Sequence, residues 1–214
     1  KRSGAVPGFM SMKVKICGIT SVDDALHACS CGADALGFVF YEKSPRCVAP
    51  AEARAIIAAL PPFVTTVGLF VNETSQTIRA IATDCGLDVV QLHGDETPAE
   101  CDLAPLRVVK ALRVKDAGSL LDHAAFDTSA LLLDAWVKDA YGGTGHTGNW
   151  PLAAEVASQR PVILAGGLTP DNVVEAIRQV RPYGVDVSSG VEAVPGRKDR
   201  GLVKQFIQKA KESL

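Results

Sequence analysis

Cys17, Arg46, Asp134 and two late glycine turns are the positions whose residue types and placement suggest chemistry. Cys17 ends a short apolar run, Val14-Lys15-Ile16-Cys17, and the chain passes at once into Gly18 and a helix start. Period-two alternation puts Lys15 and Cys17 on one face of that strand. A thiol at the carboxyl end of a strand lies where α/β folds gather their reactive loops. An isolated cysteine more often behaves as a small buried hydrophobe, so its weight depends on its company.

Asp134 interrupts an otherwise apolar run, residues 130–136. Such a carboxylate is costly if buried unpaired, so it should line an open face or be bound to something. Desolvation there would keep it protonated and able to act as an acid; capping a neighbouring loop is the alternative. Gly166-Gly167 and Ser189-Gly190 each follow an apolar strand-like run. Glycines let backbone N–H groups approach an anion, so Gly166, Gly167, Ser189 and Gly190 are candidate phosphate donors, against a plain reading as tight turns needing positive φ. Arg46 has a planar fork suited to a carboxylate or phosphate, or is simply a solvated loop arginine. His93 is a candidate base or ligand, and more often such a residue is a hydrogen-bonded wall. His93, Asp95 and His146 lack metal-ligand spacing, and Gly143-Thr144-Gly145 lacks the third glycine of a dinucleotide fingerprint.

The elements that must position these residues recur eight times. Apolar runs at 14–17, 35–40, 65–71, 89–93, 107–112, 130–136, 162–165 and 185–187 are each followed by a polar or glycine turn and usually by a helix-period segment. That alternation predicts a parallel sheet with crossover helices. Helices are expected at 21–31, 51–60, 78–85, 151–158, 172–180 and 200–212, with a short one beginning at Thr97 and Pro98 and a weak one at 118–124. The stretch around Pro195, Gly196 and Arg197 reads as a long polar loop. Eight near-continuous apolar strands point to a closed (β/α)8 TIM barrel, with an open doubly wound sheet as runner-up. Residues 13–214 form one catalytic domain on this reading, and 1–12 a leader or trimmed junction.

Composition narrows the function classes. The 214 residues carry 22 Lys and Arg against 24 Asp and Glu, a formal charge of −2, with no extended run of one sign. Nothing there calls for nucleic acid or a membrane surface, so a small molecule is the expected partner. The six cysteines contain no CxxC pair, which fits reduced thiols in a cytoplasmic protein.

Taken together, the chain resembles phosphoribosylanthranilate isomerase, a family of tryptophan biosynthesis. The resemblance rests on Lys15-Ile16-Cys17-Gly18-Ile19, Gly37-Phe38-Val39-Phe40 with Ser44-Pro45-Arg46, Val67-Gly68-Leu69-Phe70-Val71-Asn72, Gln91-Leu92-His93-Gly94-Asp95-Glu96, Leu133-Asp134, Gly142-Gly143-Thr144-Gly145, Leu164-Ala165-Gly166-Gly167-Leu168 and Asp186-Val187-Ser188-Ser189-Gly190-Val191-Glu192. It implies a small barrel acting on N-(5-phospho-β-D-ribosyl)anthranilate by an Amadori rearrangement, with no metal and no organic cofactor. It further implies Cys17 as general base, Asp134 as general acid and Arg46 as the clamp on the anthranilate carboxylate. Gly142, Gly143, Gly145, Gly166, Gly167, Ser189 and Gly190 would surround the phosphate. One departure is Gly148, which stands where the family usually carries an aromatic residue. A different phosphosugar isomerase or epimerase, or a phosphate sensor without turnover, are the competing functions. Monomer and homodimer both remain open.

Overall fold

Strands buried on both faces need apolar residues at every position, and that requirement explains the runs. The structure, a computed structural model, describes residues 11–120, 122–135 and 149–213. Eight strands, β1 (Lys13–Cys17), β2 (Ala35–Val39), β3 (Thr65–Phe70), β4 (Val89–Leu92), β5 (Arg107–Val114), β6 (Ala130–Ala135), β7 (Val162–Leu164) and β8 (Gly184–Val187), pair in chain order as a parallel sheet. β8 pairs back onto β1, with Lys15 beside Asp186, so the sheet closes into a barrel. The open doubly wound alternative is thereby excluded.

Alternation along each strand sorts the core into two shells. On β6, Leu131 and Leu133 join the outer cluster that packs against the helices, while Ala130 and Leu132 join Val109, Ala111 and Ala165 inside the barrel. The outer shell is covered by α1 (Val22–Ser30), α2 (Pro50–Ala58), α3 (Ser75–Cys85), α4 (Trp150–Ala157), α5 (Val173–Val180) and α6 (Arg200–Lys211). Their starts follow the sequence signals: Ser21, Thr74, Asn149 and Asp199 accept N–H bonds as caps, and Pro50 stands at the first turn of α2. Among the described residues no helix is long and apolar enough to cross a membrane.

Three connections depart from the expected pattern. After β4 the short helix at Thr97 and Pro98 is only a run of turns. Pro98 and Pro105 each remove a backbone donor from that short connection, and Glu100 holds the Thr97 N–H at 2.7 Å. After β5 the weak helix becomes two 3₁₀ turns, Ala117–Leu120 and His123–Ala125. There the Ser119 hydroxyl and the Asp116 carboxylate bind local backbone N–H groups that a helix would otherwise order. The polar loop around Pro195 is a two-stranded antiparallel ribbon, β9 (Glu192–Val194) and β10 (Arg197–Lys198), turned at Gly196 with φ +81°. Thr20 Oγ1 donates to Gly196 O at 2.5 Å and Lys198 N donates to Asp24 Oδ2 at 3.0 Å, pinning the ribbon to the loop after β1 and to α1.

Candidate active site

A cavity of about 730 Å³ opens at the carboxyl ends of the strands, within the size range of small-molecule sites. Cys17, Arg46, Asp134, Gly166, Gly167, Ser189 and Gly190 all line it. The predicted thiol and carboxyl group therefore share one mouth of the barrel with the two late turns. Gly142, Gly143, Gly145 and Gly148 lie outside the described residues.

At the end of β1, Cys17 is buried beside Gly37, its register partner on β2. A Cβ on Gly37 would lie 2.7 Å from Cys17 Sγ and 3.1 Å from Lys15 Cε, so that position must stay bare for both side chains to point inward. Below the thiol, Lys15 Nζ donates to Asp186 Oδ1 at 3.0 Å, a pair buried on both sides. Burial pushes the Cys17 thiol up from its ordinary value; the charges of Lys15 and Lys198 pull the other way, and Asp186 adds to the rise. Lys15, on the same strand face, favours the thiolate, but desolvation wins. Burial also opposes the charge on Lys15, yet Asp186 and Cys17 outweigh it and raise its pKa, so Lys15 remains a cation.

Opposite β1, Asp134 ends β6 as a buried carboxyl group whose Oδ2 is 3.2 Å from His93 Nε2. His93 Nδ1 in turn is 3.0 Å from Gln91 Nε2. The wall reading of His93 thus includes a specific partner, the candidate acid. The turn after His93 is fixed by Glu96, which accepts the N–H groups of Gly94 and Asn72 and pairs with Lys110 at 2.6 Å.

Arg46 crosses over Gly18, where a Cβ would come within 2.6 Å of Arg46 Cδ, and it is no solvated loop residue. Its Nε and Nη2 donate to the two oxygens of Glu192 at 2.8 and 2.7 Å. Lys198 Nζ donates to the same carboxylate at 2.8 Å and to Ser188 O at 3.3 Å. Burial alone would raise the Glu192 pKa, but Arg46 and Lys198 together hold it below the usual carboxylate range. Burial likewise pushes Lys198 down, with Glu192 acting against that shift.

The two turns are glycine-rich for different reasons. Gly166 and Gly167 have φ of +79° and +64°, as the turn reading expects. Gly190 is required by proximity, because a Cβ there would fall 1.9 Å from Leu168 O, where the loop after β7 packs on the loop after β8. Asn172 braces the first turn, its Nδ2 donating to Gly167 O and its Oδ1 accepting from Thr169 N.

The sequence reading did not single out Gln91, Asp186, Ser188 or Glu192 as site residues. The first three line the cavity, and Glu192 holds Arg46 there. Inward period-two placement was available for Gln91, two residues before His93, and for Asp186, a charge inside an apolar strand. Ser188 Oγ is buried without a hydrogen-bond partner among the described residues, which only the folded structure reveals.

The profile of the N-(5'phosphoribosyl)anthranilate (PRA) isomerase family matches residues 14–209, from β1 into the last turn of α6. The chain belongs to this family. Similar phosphoribosylanthranilate isomerases include that of Pelobacter propionicus, 57% identical over 202 residues covering 94% of this chain and 97% of that protein. The crystal structure of the Thermotoga maritima isomerase is 44% identical with a TM-score of 0.88, covering 93% of this chain and 98% of that one. A structure of the isomerase in complex with reduced 1-(o-carboxyphenylamino)-1-deoxyribulose 5-phosphate is 43% identical, with a TM-score of 0.84 and the same coverage. The family match includes every residue named above as lining the cavity.

Proposed function

We propose that this chain converts N-(5-phospho-β-D-ribosyl)anthranilate into 1-(2-carboxyphenylamino)-1-deoxy-D-ribulose 5-phosphate, the third step of tryptophan synthesis from chorismate. The observation that carries the reading is a buried thiol and a buried carboxyl group at one cavity, beside two glycine turns suited to a phosphate. The reduced product held by a similar isomerase has the carboxylate, ribulose chain and phosphate that such a cavity would have to accommodate.

Asp134 gives its proton to the ribose ring oxygen as the C1'–O bond breaks; the bond pair leaves with oxygen and the nitrogen lone pair forms the C1'=N iminium. Cys17, its own proton released to solvent as the cationic iminium forms beside it, then takes the C2' proton as the thiolate. The C–H electrons become the C1'=C2' bond, the iminium pair returns to nitrogen, and the enolamine tautomerises to the ketone. The cationic iminium arriving beside Cys17 supplies what Lys15 and Lys198 do not, a further positive charge that favours the thiolate against desolvation. Arg46, held in plane by Glu192, takes the anthranilate carboxylate, and the turns at 166–167 and 189–190 take the phosphate.

The test is optical. Substrate generated in situ from anthranilate should lose its anthranilate-type fluorescence on addition of the protein. Persistent fluorescence together with phosphate binding identifies a sensor and refutes the isomerase reading.

A further inference from the structure

Gln91 and His93 occupy alternate positions at the end of β4 and both face the cavity. Gln91 is 1%, His93 5% and Asp134 4% exposed, so their hydrogen bonds are made largely without water. The side-chain nitrogen of Gln91 can donate but has no lone pair to accept with. At 3.0 Å from His93 Nδ1 it requires that ring nitrogen to be the acceptor. The ring proton is then on Nε2, which points at Asp134 Oδ2 at 3.2 Å.

We propose that Gln91 is a positioning residue for the acid: it holds His93 as the Nε2–H tautomer, so that the imidazole donates to Asp134 Oδ2 and the proton Asp134 transfers resides on Oδ1. This rests on Asp134 being the general acid. The imidazole donates to Oδ2 before and after the transfer, and the bond tightens as the carboxylate forms. No tautomer exchange is needed during turnover. A second acceptor at Nδ1 would instead draw a second proton onto the ring, and the resulting cation would hold Asp134 ionised and without a proton to give.

Among the described residues, the other charged groups near Asp134 stand on the neighbouring elements. Arg113, its register partner on β5, pairs with Asp95 of the loop after β4. Just past β7 the cavity-lining neighbour is the uncharged Ala165. Lys110 is committed to Glu96 and Gly94 O, and Lys15, Cys17 and Asp186 stand together around β1 and β8.

Two measurements on the full chain test the assignment. In ¹⁵N-histidine-labelled wild-type protein, with His93 assigned from the His93→Gln spectrum, the ring should be the neutral Nε2–H tautomer at neutral pH; an Nδ1–H tautomer or an imidazolium overturns it. Gln91→Glu should lower kcat at least ~10-fold with KM nearly unchanged, and should move the upper limb of the kcat–pH profile to lower pH, whereas Gln91→Met, which only removes the donor, should cost less. An unmoved profile in folded Gln91→Glu also overturns it. Asp134→Asn separates the two readings: if turnover survives there, the acid assignment itself falls, and if turnover is lost while Gln91→Glu behaves as wild type, only the role of Gln91 falls. Should Gln91→Glu not fold, the wild-type tautomer decides.

Discussion

Arg46 and Glu192 face each other as a two-bond fork, Nε to Oε1 at 2.8 Å and Nη2 to Oε2 at 2.7 Å, although they stand 146 positions apart in the chain. The fork fixes the plane of the guanidinium before any substrate arrives. Glu192→Gln should therefore raise KM by about tenfold, the equivalent of roughly 1.4 kcal/mol, with little change in kcat. Because the folded-state pKa of Glu192 lies below the ordinary 4.5, its contribution to stability is complete above pH 4.5 and is lost as pH falls through the lower folded value. Acid titration of stability in Glu192→Gln should be flatter in that window; an identical curve would show that the network contributes nothing.

Cys17→Ala and Asp134→Asn should each reduce kcat by at least ~10², the usual scale for removing a base or acid. Both side chains are small, and circular dichroism should report an intact fold. Near-normal turnover in either variant removes that residue from the chemistry.

Lys15 and Asp186 act on Cys17 with opposite sign. Removing the carboxylate with Asp186→Asn should lower the pH midpoint of Cys17 alkylation, and adding Lys15→Met to that variant should raise it again. The measurement is best made in a Cys47→Ser background, since Cys47 is the exposed thiol among the described residues. Equal midpoints in the two variants would mean that Lys15 only fills the barrel.

Gly37→Ala places a methyl group 2.7 Å from Cys17 Sγ. The thiol must turn or the strands must part, and such overpacking typically costs ~1–3 kcal/mol. Expected results are a lower melting temperature and a kcat reduced about tenfold or more through misplacement of the base. Full activity would show that the thiol has room to move without consequence.

Gly190→Ala forces apart the loops after β7 and β8, because its Cβ meets Leu168 O at 1.9 Å. Binding of inorganic phosphate, read by competitive inhibition, should weaken about tenfold or more if these turns seat the phosphate. An unchanged inhibition constant would place the phosphate elsewhere.

Residue order alone called for eight parallel strands with both reactive groups on one side of the sheet, and the return of β8 onto β1 closed that sheet into a barrel. Strands covered on both faces leave uninterrupted apolar runs, and in a parallel sheet every strand end opens on the same side, so Cys17 and Asp134 had to arrive at one mouth once eight strands were read. Local chemistry likewise fixed the helix caps and the positive φ at Gly166 and Gly167. The partners came from the fold: Glu192 for Arg46 and for Lys198, Asp186 for Lys15, Leu168 O against Gly190, and the line from Gln91 through His93 to Asp134. Most of these contacts join residues brought together by barrel closure, by loop packing or by the ribbon after β8, at separations that no sequence period encodes. The same closure buried Cys17 deeply enough for desolvation to outweigh the lysine two residues before it, a balance that alternation along one strand does not reveal.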